Sequence, residues 1–313
     1  MRSLNLYAVL LFIWTILSST AYAQTDADIS DAINQNTRVE DARRAQQGIL
    51  IDPEGLEEFE IDGESGVYVL NENDIFYVAS DAGVGWSENP LRTIDDAGSS
   101  GFTDAVITAG IKTQIAEKFD LGLAVTSSNV EFFEDFAPSS RTVSSSINVG
   151  MPIKGTPLYV GLGVNGGRSF DEDFNNGTWF YGANANISAA TTLGPKTLGR
   201  ATFSGSRSMS EISDNDTWNA TGDVEVTHVI SPKMSVGAQA RLTRTSFDDF
   251  FEDVTFAERN DWQYGASIKA NYAPNTWLTT QVSAGYENRD SGFFLSSYDG
   301  FDASVSLTGR KQF

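Results

Sequence analysis

The sequence predicts an all-β protein: a single antiparallel transmembrane β-barrel of about 12 strands (10–14), behind a short N-terminal segment. Three observations carry this. From residue 75 onward, apolar and small or polar residues alternate with period two, so each segment forms a strand with two unlike faces. Tight connections alternate with longer ones. Aromatic residues collect near the strand ends, and the last residue, Phe313, lies on the apolar parity of its strand.

The N-terminus comes first. Residues 1–23 read as a secretory leader: Arg2 supplies the positive start, residues 6–17 the apolar run, and Ala21-Tyr22-Ala23 the small-residue cleavage site. The apolar run is too short to span a bilayer, and nothing after Ala23 approaches the roughly 18 apolar residues a spanning helix needs. Residues 24–74 follow a different grammar. They hold 14 acids and 3 bases (Arg38, Arg43, Arg44), one helical stretch over roughly 29–47, and a small hairpin over 59–70. So polar a segment cannot bury a core alone. It is expected to remain a periplasmic tail or to plug the barrel mouth against Arg241, Lys269 and Arg310.

Residues 75–313 make the barrel. Strands are expected at 75–87, 102–116, 119–130, 141–152, 157–169, 178–192, 197–210, 217–230, 234–247, 260–273, 276–289 and 299–313. The 262–272 segment illustrates the pattern, with Trp262, Tyr264, Ala266, Ile268, Ala270 and Tyr272 on one face. Gln263, Gly265, Ser267, Lys269 and Asn271 occupy the other. A soluble sandwich would bury bulky residues on its apolar face. Here the apolar face is light and tipped with aromatics, and the opposite face is Gly, Ser, Thr, Asn and a few charges, which suits an apolar outside and a wet inside. Trp86, Trp179, Trp218 and Trp262 fall beside the longer connections, and Trp277 beside a tight turn near Tyr272, Phe119 and Tyr159: two interfacial girdles.

A terminal strand carrying Val305, Leu307 and a final Phe313, together with the leader and the short-turn, long-loop rhythm, resembles the bacterial outer-membrane β-barrel superfamily, the porin-like barrels. The resemblance covers about 240 residues. It implies the outer membrane of a Gram-negative bacterium after Sec-type cleavage near Ala23, both chain ends and the tight turns in the periplasm, and the longer loops outside. Phe313 is implied as the signal read by the barrel assembly machinery, and outer-membrane lipid and lipopolysaccharide as the surroundings. Asn89, Pro90 and Leu91 also resemble the first strand of barrels linked to polysaccharide export.

Composition narrows the chemistry. With 21 Lys and Arg against 42 Asp and Glu, the chain carries −21 charges, unsuited to nucleic acid. No cysteine is present, which excludes disulfides, thiolate metal sites and a Cys nucleophile. His228 is the only histidine; it falls on the outward parity beside the tight turn at 231–233. One twelve-stranded phospholipase family of outer-membrane barrels uses a Ser–His–Asn set, but position 230 is Ile here. The omptin-type proteases need a histidine at the outer rim, which His228 cannot reach. No enzyme, catalytic residue or cofactor is expected.

The longer connections carry acidic runs: Glu131, Glu134 and Asp135; Asp171, Glu172 and Asp173; Glu211, Asp214 and Asp216; Asp248, Asp249, Glu252, Asp253 and Glu258. Asp171, Glu172, Asp173, Asp248, Asp249, Glu252 and Asp253 are weak metal candidates, since clustered carboxylates suit Ca²⁺ but lack EF-hand spacing. As a solvated rim, they would still concentrate cations at the mouth. Charges on the inward parity are Asp81, Lys112, Asp223, Glu225, Arg241, Lys269, Glu287, Arg289, Asp302 and Arg310, the expected lumen lining; the parity of Arg168 and Arg200 is ambiguous. Such residues either line a pore or form a salt-bridge network that seals the barrel. Two functions therefore stand side by side. One is a passive channel or export pore preferring cationic or neutral small solutes, or an exported polymer. The other is a non-conducting structural or interaction barrel binding divalent cations, lipopolysaccharide or a periplasmic partner.

Overall fold

The computed structural model describes residues 75–89, 98–115, 119–134, 139–154, 156–170, 177–211, 216–247, 260–275, 277–291 and 297–313. The leader, the 24–74 segment with its expected helix and hairpin, and most of the longer connections lie outside the described residues.

Twelve strands form: β1 (Phe76–Ser87), β2 (Ser100–Ile115), β3 (Phe119–Phe132), β4 (Ser140–Pro152), β5 (Leu158–Phe170) and β6 (Gly177–Gly194). They continue as β7 (Thr197–Ser210), β8 (Thr217–Ser231), β9 (Met234–Phe247), β10 (Asn260–Asn275), β11 (Leu278–Ser291) and β12 (Tyr298–Gln312). Each pairs antiparallel with its sequence neighbours, and β12 returns to β1, so the sheet is a closed barrel. Val84 faces Val305 on one side and Thr103 on the other. Both edges of β1 are taken, so the wall is complete at twelve strands. Closure leaves no unpaired edge, which inside a bilayer would cost several kcal/mol per exposed backbone group.

Pairing continues past the last residue of the ladder. The Phe313 N–H donates to the Phe76 carbonyl at 2.9 Å, and the Phe76 N–H to the Phe313 carbonyl at 3.3 Å. The start of β1 and the end of β12 therefore meet at the end of the barrel that carries the tight turns. Strand boundaries shift by a residue or two from expectation, among them at β6, β10 and β11. β6 absorbs Leu193 and Gly194, and β10 absorbs Pro274 and Asn275. The reason at β10 is local: the Asn275 side-chain oxygen accepts from the N–H groups of Trp277 (3.1 Å) and Leu278 (3.0 Å), which moves the reversal two residues on.

Alternation divides the wall into two surfaces. Outward residues are bare: Ile268 is 65% exposed, Leu162 61% and Val84 56%. An apolar belt this continuous calls for an apolar solvent. Aromatics rim it at both ends. Trp86, Trp179, Trp218 and Trp262 stand at the long-connection end, and Phe119, Tyr272 and Trp277 at the tight-turn end. Tyr159 departs from the expected girdle. Its parity in β5 is inward, and its hydroxyl donates to Asp120 at 3.0 Å.

Inside, glycine makes room for rings. A Cβ on Gly110 would lie 2.6 Å from Tyr77 Cζ, and one on Gly150 2.5 Å from Tyr159 Cζ. One on Gly85 would lie 2.7 Å from Phe102 Cε1, and one on Gly167 2.8 Å from Phe180 Cζ. These four inward rings therefore lie on the wall in glycine hollows instead of projecting toward the axis; Phe132, Phe247 and Tyr298 also take inward parities.

Candidate functional site

The inner wall holds the chemistry. On β8, period two places Asp223 and Glu225 on the inward parity, both buried, with Thr221 and Thr227 as inward neighbours. Arg200 of β7 reaches both carboxylates, at 3.2 Å to Glu225 and 3.9 Å to Asp223. Arg241 of β9 approaches Asp223 at 3.8 Å, and Gln239 donates to the same carboxylate. Lys269 of β10 crosses over β9 to pair with Glu225, which also accepts from Thr227 at 3.2 Å. Four strands thus share one network with two acids and three cations.

A second group sits toward the long-connection end. Asp261 of β10 is 1% exposed; it accepts from Arg289 at 2.6 Å and from the Ser291 hydroxyl at 2.5 Å. The Tyr298 hydroxyl donates to Glu287, and Gln263 donates to Tyr298 at 3.3 Å. Near the tight-turn end, Asp81 accepts from Thr308 at 2.5 Å, and the Arg310 guanidinium lies 5.3 Å above the Tyr77 ring. Lys112 and Asp302 also take the inward parity of β2 and β12. The pairs join adjacent strands or strands one apart, so they run along the wall and not across the lumen.

The two ambiguous arginines part company. Arg200 turns inward and becomes the hub of the larger network. Arg168 turns outward, 5.4 Å from the Trp179 ring and 5.6 Å from the Phe170 ring. Sequence reasoning passed over Asp104, Asp120 and Asp261, all on inward parities. The odd-position pattern of 263–271, carried one step back, would have found Asp261.

His228 is exposed on the outer face, its Nδ1 2.9 Å from the Thr197 hydroxyl. Asp171, Glu172, Asp173, Asp248, Asp249, Glu252 and Asp253 lie outside the described residues. Among the described residues no group of three or more His, Asp or Glu is placed to hold a metal ion.

Asp261 gives a direct test of this wall. Replacing it with Asn keeps the shape but removes the charge opposite Arg289 in a site closed to water. The expected loss is about 1.5–3 kcal/mol. It would be read as a lower urea midpoint, with unchanged slope, for barrel refolded in lipid vesicles.

A closed, twelve-stranded antiparallel barrel with an apolar exterior, aromatic rims and a polar interior defines the porin-like barrel fold of bacterial outer membranes. One solved structure agrees at the level of fold. An outer membrane channel from Pseudomonas putida F1 superposes with a TM-score of 0.54 at 10% identity, covering 76% of this chain and 96% of that one. The NanC porin gives 0.44 at 10% identity (74% and 98% covered), and the KdgM porin 0.42 at 8% (74% and 98%). No protein-family model matches the chain, and no curated protein sequence does.

Proposed function

We propose that the chain is a passive outer-membrane channel, reached after Sec-type export with cleavage near Ala23, which passes cationic or neutral solutes by diffusion. One observation carries this reading: the interior charges pair along the wall, and Tyr77, Phe102, Tyr159 and Phe180 lie in glycine hollows. A sealing network would instead reach across the lumen. Twelve strands enclose more space than eight, whose interior side chains alone can fill. Similarity in fold to a Pseudomonas putida channel supports the class of function without identifying a solute.

The charge balance supports the preference. Among the described residues the inner wall carries Asp81, Asp104, Asp120, Asp223, Glu225, Asp261, Glu287 and Asp302 against Lys112, Arg200, Arg241, Lys269, Arg289 and Arg310. The acidic runs of the longer connections add to this at the mouth. On this reading Val305, Leu307 and Phe313 present the terminal strand to the assembly machinery.

Single-channel recording in a salt gradient tests the proposal. The expected result is a conducting pore whose reversal potential has the sign of cation selectivity, weakening as salt screens the wall. A silent barrel overturns it in favour of an interaction barrel. The same recording on a chain lacking residues 24–70 tests the plug. Higher conductance is expected if the acidic segment closes the mouth, and unchanged conductance makes it a tail.

A further inference from the structure

Arginine is sorted between the two faces of the barrel. Arg200, Arg241, Arg289 and Arg310 point inward, while Arg141, Arg168, Arg207 and Arg244 point outward. All four outward arginines lie at the long-connection end, Arg141 at the start of β4 and the others within the last few residues of β5, β7 and β9. Three of them stand directly opposite a tryptophan on the next strand. Arg168 faces Trp179, Arg207 faces Trp218, and Arg244 faces Trp262. Each guanidinium lies over the ring it faces, at 5.4, 5.1 and 5.6 Å from the centroid. The motif thus repeats on three consecutive hairpins, β5–β6, β7–β8 and β9–β10. Strand spacing puts successive copies about 10 Å apart.

Each guanidinium is also tethered. Arg168 donates to the Gly177 carbonyl at 3.2 Å, Arg207 to Asp216 at 3.3 Å, and Arg244 to Asn260 at 3.3 Å. Stacking and tether together hold the planar fork in one orientation beside an indole that is about half exposed to the surrounding lipid. Tryptophan at a strand end marks headgroup level. A rigid guanidinium fork at that level matches a phosphate, which it grips through two parallel N–H bonds. The opposite flank has the reverse sign: Asp290 of β11, Asp299 of β12 and Glu88 after β1 are exposed there. Among the described residues the outer face at this level carries four arginines against Glu211 and Asp216 over β4–β9, and Asp290, Asp299 and Glu88 over β11–β1.

We propose that the three Arg–Trp pairs form a binding belt for the phosphates of a glycolipid in the leaflet at the long-connection end. The belt rests on reading the chain as an outer-membrane barrel, but not on its conducting anything. It would orient the molecule rotationally in the membrane, with one flank dressed in anionic lipid.

The test uses the full chain folded in detergent micelles, with diphosphorylated lipid A and its dephosphorylated form as probes, read by native mass spectrometry. Wild-type protein is expected to retain the diphosphorylated form at least ten-fold more tightly. The combined variant Arg168→Gln, Arg207→Gln, Arg244→Gln is expected to lose that preference while keeping the heat-modifiable gel migration of a folded barrel. The single variants are expected to lose two- to three-fold each, which covers the case in which the combined variant fails to fold. Equal binding of the two lipids by wild type, or an undiminished preference in the variants, overturns the belt. A chain that shows no heat-modifiable form at all would count against the membrane-barrel reading instead.

Discussion

Glu225→Gln is expected to destabilise the barrel by about 3–5 kcal/mol, the cost of removing one partner from a buried ion pair. The substitution keeps the side-chain volume. What it removes is the single charge that both Arg200 and Lys269 address, at side-chain exposures of 12% and 15%. Asp223, itself 3.9 Å from Arg200 and 3.8 Å from Arg241, would then face three cations alone. Urea unfolding of vesicle-reconstituted protein measures the loss. Neutralising the cations as well, with Arg200→Gln and Lys269→Gln in the same chain, should recover most of it, because Asp223 would then face Arg241 alone. A midpoint unchanged by Glu225→Gln would mean that water in the lumen already solvates these charges.

Gly167→Val is expected to cost about 3 kcal/mol, toward the upper end of what overpacking does. The obstacle is backbone, not a side chain that can swing away. An added Cβ would run into the Val143 carbonyl oxygen and lie 2.8 Å from Ser144 Cα, both on the neighbouring strand, and 2.8 Å from the Phe180 ring. The residue next to it is the control. At Gly166 the same atom would meet the Phe180 carbonyl at 3.5 Å and Tyr181 Cβ at 3.7 Å, ordinary contacts, so Gly166→Ala should stay within roughly 0.5 kcal/mol of wild type. Equal losses at the two positions would show that glycine at 167 serves something other than close approach. Phe180, freed from its hollow by the larger side chain, would also turn toward the lumen, and conductance should fall along with stability.

Period two was the most legible signal in the chain because a strand with unlike faces leaves no freedom of register: a slip of one residue turns every side chain over. That is why alternation in segments such as 262–272 located β10 and its wall residues together. Arg200 and Arg168 resisted the same reading for a physical reason. β7 carries Gly, Ala, Ser and Thr on both parities, so neither face declares itself, whereas in β5 Arg168 is a charge on the otherwise apolar face of Leu158, Val160, Leu162 and Val164. Their direction is set by what stands across from them: Glu225 opposite Arg200, and Trp179 opposite Arg168. Tyr159 misled because an aromatic near a turn fits an interfacial girdle equally well. Only the hollow at Gly150 on the paired strand reveals that the ring turns inward. Such facts depend on register between strands, which a sequence read one segment at a time does not contain.

The seam between β1 and β12 sets the order in which this molecule can be made. Asp81 and Thr308, hydrogen-bonded across it, are 227 residues apart in the chain. Every earlier hairpin can form as soon as its own two strands exist, but the sheet keeps two sticky margins until the final residues arrive. A chain cut even a few residues short would lose part of the zip between Phe313 and Phe76 and leave open backbone facing hydrocarbon. Completion is thus decided by β12, the last of the twelve strands in chain order, and a half-built copy has nowhere favourable to rest in the lipid. Quality control is written into the connectivity itself: only a chain with all twelve strands can cover its own flanks.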